Sequence, residues 1–369
     1  MQKPLLQRFH LAALVTAAGA MPAGALAAAP STLSQLLANS GITESGYVAA
    51  SYYHSSGYGT YHQFDTSHDT FQLDQAGLQL AYQPKSGFGA VIDVIAGEDA
   101  KIVDAAESAG ASASAFDVLQ GFAQYAAGPL ILQAGKFTTL AGAEVIAPSG
   151  NTNFSRSLLF FAEPMTHTGV RASYAVTDAL TVIAGINNGW NYTKIDYGSK
   201  TGELGVAFNP GKYFSLTAQL YAGKDPVYGA QRLFVDTVAT LNATPALSLL
   251  VSFDWGRQET STATAAALTG GDWKGVAAYV NYQLSSQWRV SLRGEYLDDE
   301  DGTTLVTGAR QSLKEGTVTV GYDPLASFEL RVEGRYDTSS EPTFLRSLSP
   351  VARYAGDQSE IALQGVYRF

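Results

Sequence analysis

The sequence predicts an all-β fold, a transmembrane antiparallel β-barrel of about 16 strands with short periplasmic turns and long outer loops. Three observations predict it: an alternating carboxyl-terminal segment that ends on an aromatic residue, an amino-terminal export signal, and a rhythm of paired strands along the chain. Together they indicate a chain that crosses a bilayer as strands, which must close into a barrel to satisfy their backbone hydrogen bonds.

The carboxyl-terminal segment, Glu360 to Phe369, alternates without interruption. Because strand side chains alternate with a period of two, the segment is predicted to be a strand with one apolar face. That face carries Ile361, Leu363, Gly365, Tyr367 and Phe369. A terminal aromatic is unusual for a soluble domain, whose last residues are generally frayed and polar. We therefore expect Tyr367 and Phe369 to lie at a membrane interface and to form the assembly signal of a closing barrel strand.

Residues 1–27 are predicted to be a cleaved signal peptide. A short basic region with Lys3 and Arg8 precedes a stretch of mainly Ala, Leu, Val and Gly, and Ala25-Leu26-Ala27 fits the small-residue rule for cleavage. A membrane anchor is the alternative, because the stretch is nearly long enough to span a bilayer. Its Gly and Pro interruptions favour the cleaved signal, and the mature chain is expected to be exported.

Composition narrows the class further. Charged residues make up 15% of the chain, against roughly 25% in soluble domains, and no apolar run after the signal is long enough for a transmembrane helix. There is no Cys, which excludes disulfides, thiolate catalysis and Cys-ligated metals. The net charge of −10, which loss of Lys3 and Arg8 changes to −12, argues against nucleic acid as a partner.

A repeated unit organises the rest of the chain: an alternating segment of about ten residues, a short turn, a second such segment, and a longer polar loop. The predicted strands lie near 47–53, 71–83, 87–97, 116–127, 129–137, 168–176, 179–188, 201–209, 212–222, 231–241, 245–256, 273–284, 287–298, 308–322, 326–337 and 358–369. Short turns on one rim and long loops on the other predict periplasmic termini. The expected organisation is a signal peptide at 1–27, a periplasmic segment at 28–46, and a barrel at 47–369 with an inward-folded loop at 138–167.

Two strands indicate which face meets lipid. In 287–298 and 326–337, apolar residues that end on aromatics alternate with charged residues. A soluble sandwich could show the same alternation, but aromatics at both strand ends are typical of membrane girdles. We therefore expect Val290, Leu292, Leu330 and Val332 to contact lipid and to be sensitive to substitution, and Ser291 and Glu333 to tolerate it. The predicted lumen lining comprises Arg171, Arg289, Arg293, Glu295, Glu329, Arg331, Glu333 and Arg335.

Several segments resemble the OmpL-like β-barrel porin family. The opening strand, Ser45-Gly46-Tyr47-Val48-Ala49-Ala50-Ser51-Tyr52, is similar to the family's first strand. The central block carries the rest of the resemblance: Gly135-Lys136-Phe137, Gly142-Ala143-Glu144, Asn151 to Asn153, Ser155-Arg156-Ser157, His167-Thr168-Gly169-Val170-Arg171 and Gly185-Ile186-Asn187-Asn188-Gly189-Trp190. The resemblance implies an outer-membrane porin, a water-filled channel for passive diffusion of ions and other small hydrophilic solutes, without specifying a solute.

The connection from Thr138 to His167 is the longest and is predicted to form the pore constriction. Its polar candidates are Glu144, Asn151, Asn153, Arg156 and Glu163, while Leu158 to Phe161 could anchor it against the wall. Folded inward, its carboxylates would face the arginine row across a narrow water-filled gap and create a transverse field. The alternative is an external loop with solvated charges.

The sequence offers little for catalysis, and no cofactor, catalytic residue or metal site is predicted. An outer-membrane hydrolase would need His167 close to Ser155 or Ser157. His62, His68 and Asp65 could ligate a metal only if a polar loop brought them together. A channel specific for sugars, peptides or fatty acids is the nearer alternative to a general porin, with Tyr213, Tyr221 and Tyr279 as candidates for an aromatic slide.

The expected location is the outer membrane of a Gram-negative bacterial cell, after cleavage of the signal peptide. The expected partners are outer-membrane lipid and lipopolysaccharide, the barrel assembly machinery and small hydrophilic solutes. A homotrimer is an expectation from similar porins.

Overall fold

The computed structural model describes residues 39–369, apart from 109, 111, 196–197, 226–228, 261–269 and 349. The predicted signal peptide at 1–27 and most of the predicted segment at 28–46 lie outside the described residues. The first strand begins at Thr43, four residues before the predicted start at Tyr47. No helix among the described residues is both long and apolar enough to cross a bilayer.

Sixteen antiparallel strands form a closed barrel, which confirms the predicted fold and strand count. From β1 (Thr43–Ser55) to β15 (Phe328–Ser339) each strand pairs with the next one in sequence, and β15 then pairs with β18 (Asp357–Arg368). Strand β18 closes the barrel against β1, with Tyr47 opposite Arg368 and Ser55 opposite Glu360. Two further short strands, β16 and β17, form a separate hairpin in the last outer loop. The strands are β1 Thr43–Ser55, β2 Thr70–Tyr82, β3 Gly87–Ala96, β4 Phe116–Ala127, β5 Leu130–Thr138, β6 Thr166–Ala175, β7 Leu180–Asn187, β8 Thr201–Phe208, β9 Phe214–Lys224, β10 Gln231–Asn242, β11 Leu247–Gln258, β12 Gly271–Gln283, β13 Trp288–Asp299, β14 Gln311–Leu325, β15 Phe328–Ser339, β16 Phe344–Ser347, β17 Arg353–Ala355 and β18 Asp357–Arg368.

Burial alternates along the strands as the sequence pattern predicts. On β13 and β15, Leu292 and Val332 are 42% and 49% exposed on the outer surface, whereas Arg293 and Glu333 point inward and are 3% and 1% exposed. An apolar outer band with a polar interior is the arrangement that lets a barrel sit in a bilayer.

Two β-bulges interrupt the regular alternation near the outer rim. One lies opposite Ala49 and Ala50, where β2 inserts an extra residue, so that Asp74 and Gln75 are both buried. The other lies opposite Asp93 and Val94, where β4 inserts Leu119. A bulge places two residues against one on the neighbouring strand and redirects side chains, so simple period-two counting fails at these positions.

Two helices lie in outer loops. Helix α1, Glu98–Glu107, follows β3, and its Ala100 and Val103 pack in an apolar cluster with Phe64 and Ile95. Helix α2 is a four-residue turn, Leu158–Phe161, in the connection between β5 and β6. Helix α1 lies between the predicted strands 87–97 and 116–127, where no element was predicted, because an amphipathic ten-residue segment within a polar loop gives a weak signal.

Helix α2 links three apolar clusters inside the barrel. Leu158 packs with Phe234 and Trp273, Leu159 packs with Leu250 and Tyr279, and Phe160 packs with Phe64. These three side chains are at most 4% exposed. The interior at this level is therefore a packed core that joins an outer loop to the barrel wall.

Candidate functional site

The connection 139–165, hereafter the inward loop, runs inside the barrel between β5 and β6. Its two ends leave adjacent strands, since Thr138 pairs with Thr166 and the Thr139 N–H donates to the Met165 carbonyl oxygen at 2.9 Å. The candidate site consists of this loop and the side chains of the wall that hold it.

Glu144 joins the loop to itself and to the wall. Its Oε2 accepts a hydrogen bond from the Ser157 N–H at 2.7 Å, at the start of α2, and its Oε1 accepts one from Arg293 Nη1 at 2.8 Å. Glu144 is 6% exposed. A buried ion pair that also caps a backbone N–H fixes the position of the loop.

Arg156 is directed into the loop itself. Its guanidinium donates to the carbonyl oxygens of Val145 at 2.9 Å, Ile146 at 2.7 Å and Phe154 at 2.7 Å. It also lies over the ring of Phe64, 5.1 Å from the centroid. Its side chain therefore organises the loop backbone and does not border an open gap.

The two candidate asparagines also hold backbone and wall groups. Asn151 accepts from the Val145 N–H at 2.9 Å and donates to the Val145 and Ala147 carbonyls at 2.7 and 3.0 Å. Asn153 Nδ2 donates to Thr319 Oγ1 on β14 at 2.6 Å.

The four arginines of the predicted row all donate to loop carbonyl oxygens. The contacts are Arg289 with Thr152 at 2.6 Å, Arg293 with Ser155 at 2.9 Å, Arg331 with Pro148 at 3.1 Å and Arg335 with Arg156 at 2.6 Å. The expected water-filled gap between loop carboxylates and this row is therefore absent from the described residues. The reason is that guanidinium groups match carbonyl and carboxylate oxygens directly.

Acidic residues of the wall neutralise the same arginines. Arg293 contacts Glu295 at 3.0 Å and Glu315 at 3.2 Å, and Arg335 contacts Asp337 at 3.0 Å. Glu329 forms an ion pair with Arg331 at 2.9 Å and also pairs with Arg289 and Arg368. Each of these arginines therefore has at least one carboxylate partner on the wall, and Arg289, Arg331 and Arg368 share Glu329.

Glu333 is the wall acceptor with the most contacts to the loop. It accepts hydrogen bonds from the Phe154 N–H at 2.6 Å, the Ser155 N–H at 2.9 Å, Ser155 Oγ at 2.5 Å and Thr319 Oγ1 at 2.6 Å. The N–H groups of the loop backbone thus donate to Glu333, and its carbonyl oxygens accept from the arginines.

Glu163 lies away from the arginine row. One of its carboxylate oxygens is within 4.8 Å of oxygens of Asp236 on β10 and Asp254 on β11, and all three residues are buried. The sequence analysis grouped Glu163 with Glu144, but the two carboxylates occupy different environments.

Arg171, on β6, contacts side chains of β5 and β8. It contacts Glu203 on β8 at 2.9 Å, and its guanidinium lies 4.0 Å from the centroid of the Phe137 ring. Tyr221 donates to Glu203 at 3.2 Å and is 1% exposed, whereas Tyr213 is 59% exposed. Because their environments differ so much, Tyr213 and Tyr221 do not form a continuous aromatic slide.

The two serines considered as nucleophiles for a hydrolase, Ser155 and Ser157, form hydrogen bonds that hold the loop. Ser155 Oγ donates to Glu333 and accepts from Arg293 at 2.9 Å, and Ser157 Oγ accepts from the Phe160 N–H at 2.9 Å. His167 is fully buried and stacks on the ring of Tyr221 at 4.8 Å. Both hydroxyls are thus held by the loop's own anchoring contacts.

Of the three candidate metal ligands His62, Asp65 and His68, the first outer loop brings only His62 and Asp65 together. His62 Nδ1 is 2.6 Å from Asp65 and its Nε2 is 2.8 Å from Asp337, while His68 contacts the exposed Asp69. Burial and the Arg335 charge lower the pKa of His62, but Asp65 and Asp337 raise it more, to about 10. An imidazolium between two carboxylates explains this group without a metal.

The inward loop covers one side of the lumen more than the other. Ser252, Ser291, Thr317, Thr319 and Gln364, on β11 to β18, are each at most 2% exposed. A cavity of about 20 Å³ between the loop and Tyr279 has room for a single water molecule.

The opposite wall, from β2 to β6, retains polar side chains that are only half-buried. These are Gln79, Asp93, Gln120, Gln133 and Ser173. Asp93 accepts hydrogen bonds from Gln79 at 3.2 Å and from Gln120 at 3.1 Å. Part of the solvent-accessible lumen lining therefore lies on this wall, and half-buried polar residues that face inward also occur at Thr217 on β9, Ser248 on β11 and Asn281 on β12.

Sequence reasoning missed several lumen residues, notably Glu203, Asp236, Glu315 and Thr319. The alternation on β14, where Leu313, Glu315, Thr317 and Thr319 are buried, was available as a signal. Asp74 was missed as well, and its signal was the alternation with the outward Phe71 and Leu73, which changes phase after the bulge.

The comparisons with known proteins agree with this architecture. The structure of the outer-membrane channel DcaP of Acinetobacter baumannii is similar with a TM-score of 0.61 at 12% identity, covering 89% of this chain and 97% of that one. The trimer form of OmpT from Vibrio cholerae gives 0.58 at 12% identity, covering 89% and 99%. The anion-selective porin from Comamonas acidovorans gives 0.56 at 11%, covering 89% and 99%. A search of curated proteins finds no match.

These low identities establish the fold alone, while a family model identifies the chain. The model described as "Putative beta-barrel porin-2, OmpL-like" matches residues 41–369, nearly the whole chain and all of the barrel. The match extends the resemblance carried by the first strand and the central block. The chain therefore belongs to the OmpL-like β-barrel porin-2 family of the outer membrane.

Proposed function

We propose that the chain is a general porin that lets small hydrophilic solutes and ions diffuse passively across the outer membrane. The observation that carries the proposal is a closed barrel with a polar interior, in which one loop is anchored across the lumen. Such a channel needs no energy source or cofactor, because the width and polarity of the lumen determine passage.

The solute path runs between the inward loop and the wall formed by β2 to β6. The half-buried polar side chains on that wall support this path, whereas the wall from β11 to β18 is covered by the loop. Glu144, Asn151, Asn153 and Arg156 narrow the lumen indirectly, by holding the loop in place.

Ion selectivity in this channel is weak. The arginines beside the loop are paired with carboxylates, and Arg171 is paired with Glu203. The path therefore discriminates by size and by the hydrogen-bonding capacity of its amide and hydroxyl groups.

Cysteine labelling tests this path, because the chain has no Cys of its own. Gln133→Cys and Ser173→Cys place a thiol on the proposed path, and Ser252→Cys places one under the loop, where the serine is 1% exposed. In planar bilayers, a charged methanethiosulfonate reagent should reduce the conductance of the first two variants and leave the third unchanged. Equal responses would place the path elsewhere, and no conductance in any variant would reject the porin.

Assembly and export complete the proposal. We propose removal of residues 1–27, insertion by the barrel assembly machinery through the terminal Tyr367 and Phe369, contact with lipopolysaccharide, and a homotrimer. The trimer form of Vibrio cholerae OmpT supports the oligomer. Mass spectrometry of the outer-membrane protein should give a chain that starts at Ala28, and native mass measurement should give three chains.

A further inference from the structure

Three carboxylates from different segments meet inside the barrel, apart from the arginine row. Glu163 belongs to the inward loop, while Asp236 and Asp254 face each other as direct partners on β10 and β11. One oxygen from each lies within 4.8 Å of the other two, and the residues are 6%, 0% and 0% exposed. Like charges directly opposite on neighbouring strands repel, so this arrangement requires compensation.

Asp254 carries the second observation. Among the described residues, no hydrogen-bond donor reaches either of its carboxylate oxygens, although both are buried and one of them lies within 4.8 Å of an oxygen of Glu163 and an oxygen of Asp236. A buried carboxylate without donors is costly unless a proton or a cation compensates it.

The loop backbone is shaped around this group. The Gly142 N–H donates to Asp236 Oδ1 at 2.9 Å, and Gly142 has a φ of +80°. A Cβ at position 142 would lie 1.8 Å from Glu163 Oε2. A side chain here would therefore displace the Glu163 carboxylate, so both arms of the loop converge on the cluster.

A second trio, His62, Asp65 and Glu360, meets the same distance criterion but has internal compensation. The His62 imidazole lies between Asp65 and Asp337, and Arg335 is 3.9 Å from Asp65. Cationic side chains thus already occupy the centre of that group, and it needs no added ion.

We propose that Glu163, Asp236 and Asp254 bind a calcium ion. Three carboxylates and no nitrogen or sulfur ligand form a hard oxygen site. Calcium accepts irregular oxygen coordination at this spacing, whereas magnesium requires near-ideal octahedral geometry and dehydrates reluctantly. The ion fastens the Glu163 arm of the loop to the wall, while Glu144 and Arg293 fasten the other arm. Binding does not depend on whether the barrel conducts.

The test uses the full chain folded in detergent micelles, stripped with EDTA and titrated with Ca²⁺ alone by calorimetry. One Ca²⁺ per chain should bind with a Kd of about 10 µM or lower, so that 1 mM Ca²⁺ raises the ratio of folded to unfolded protein about 100-fold. Thermal unfolding in Ca²⁺ and in EDTA gives an independent measure of the same effect.

Asp254→Asn separates a cation from a shared proton. The variant removes repulsion and a ligand together, so its Tm should exceed that of the wild type in EDTA and fall below it in Ca²⁺. Asp74→Asn is the matched control, a buried lumen aspartate that accepts from Ser51 at 2.6 Å outside the cluster. It should keep Ca²⁺ affinity unchanged.

Three results would overturn the proposal. One is an equal rise in the Tm of Asp254→Asn in both conditions without heat of Ca²⁺ binding, which indicates a shared proton. The second is full Ca²⁺ affinity in that variant, which places binding elsewhere, such as the acidic turn 298–301. The third is equally tight binding of Mg²⁺. If Asp254→Asn gives no folded protein, Glu163→Gln provides the same comparison from the loop.

Discussion

Replacing Glu333 by alanine should release the inward loop from the barrel wall. Its carboxylate accepts four hydrogen bonds, two of them from the backbone N–H groups of Phe154 and Ser155, and it is 1% exposed. A hydrogen bond to a charged group contributes about 1.5–3 kcal/mol, but the freed donors can bind water. We therefore expect a loss of about 3–5 kcal/mol in the free energy of unfolding, as when one partner of a buried ionic network is removed.

The assay measures urea-induced unfolding from phospholipid vesicles and refolding into them. Tryptophan fluorescence reports the folded fraction. Glu300→Ala is the control, because the Glu300 side chain is 39% exposed in an outer turn and pairs with the exposed Lys274, while the backbone hydrogen bond of Glu300 to Asp272 is unaffected by the substitution. Glu333→Gln should be intermediate, because one amide oxygen can still accept one of the two pairs of hydrogen bonds. Single-channel recordings of Glu333→Ala should also show a larger and noisier conductance.

A loss for Glu333→Ala within about 1 kcal/mol of the Glu300→Ala control would refute the reasoning. From the sequence alone, Glu333 is predicted to tolerate substitution because it faces the lumen. The contacts to the loop lead to the opposite expectation, since this part of the lumen is a packed interface.

Further predictions concern pH, lipid contact and assembly. Because the pKa of His62 is raised to about 10 from an ordinary value of 6.5, its stabilising effect is complete below pH 6.5 and is lost as the pH rises to 10. Over this range, the unfolding free energy of the wild type should fall with pH more steeply than that of His62→Gln, by up to about 1 kcal/mol per pH unit. Parallel curves for the two proteins would contradict a charged imidazole. Leu292→Arg, on the lipid face, should cost about 2–4 kcal/mol in vesicle titrations, and a negligible cost would place Leu292 away from lipid. Phe369→Ser should lower the amount of folded outer-membrane protein while export across the inner membrane continues, and an unchanged folded yield would reject the assembly signal.

The barrel could be predicted because strand facing is a local property. Trp288, Leu292 and Tyr296 alternate with charged neighbours, and this period appears within a single strand. A single period fails where β2 inserts an extra residue, because the outward apolar positions change from Phe71 and Leu73 to Leu78 and Tyr82 across the bulge at Asp74.

The site could be predicted only in part, because its partners are distant in sequence. Loop length indicated residues 138–167, and Glu144 with Arg293 was an expected opposition of charge. The direct use of the arginines on loop carbonyl oxygens was not predictable, because carbonyl positions depend on the path of the loop. The proximity of Glu163 to Asp236 and Asp254 also depends on the path of the loop.

The chain order of the loop and its anchors has a consequence for assembly. The loop comes from the first half of the barrel, but its anchors on β13 and β15 are supplied 137 to 183 residues later. During insertion, the loop can already contact β10 to β12, but its anchors on β13 and β15 are missing until these late strands join the sheet, and β18 then pairs with β1. Contacts of such separation form late, because their loop-closure entropy must be overcome first. Complete anchoring of the loop is therefore coupled to closure of the wall, and a partly built barrel keeps both an unpaired edge and an incompletely anchored loop.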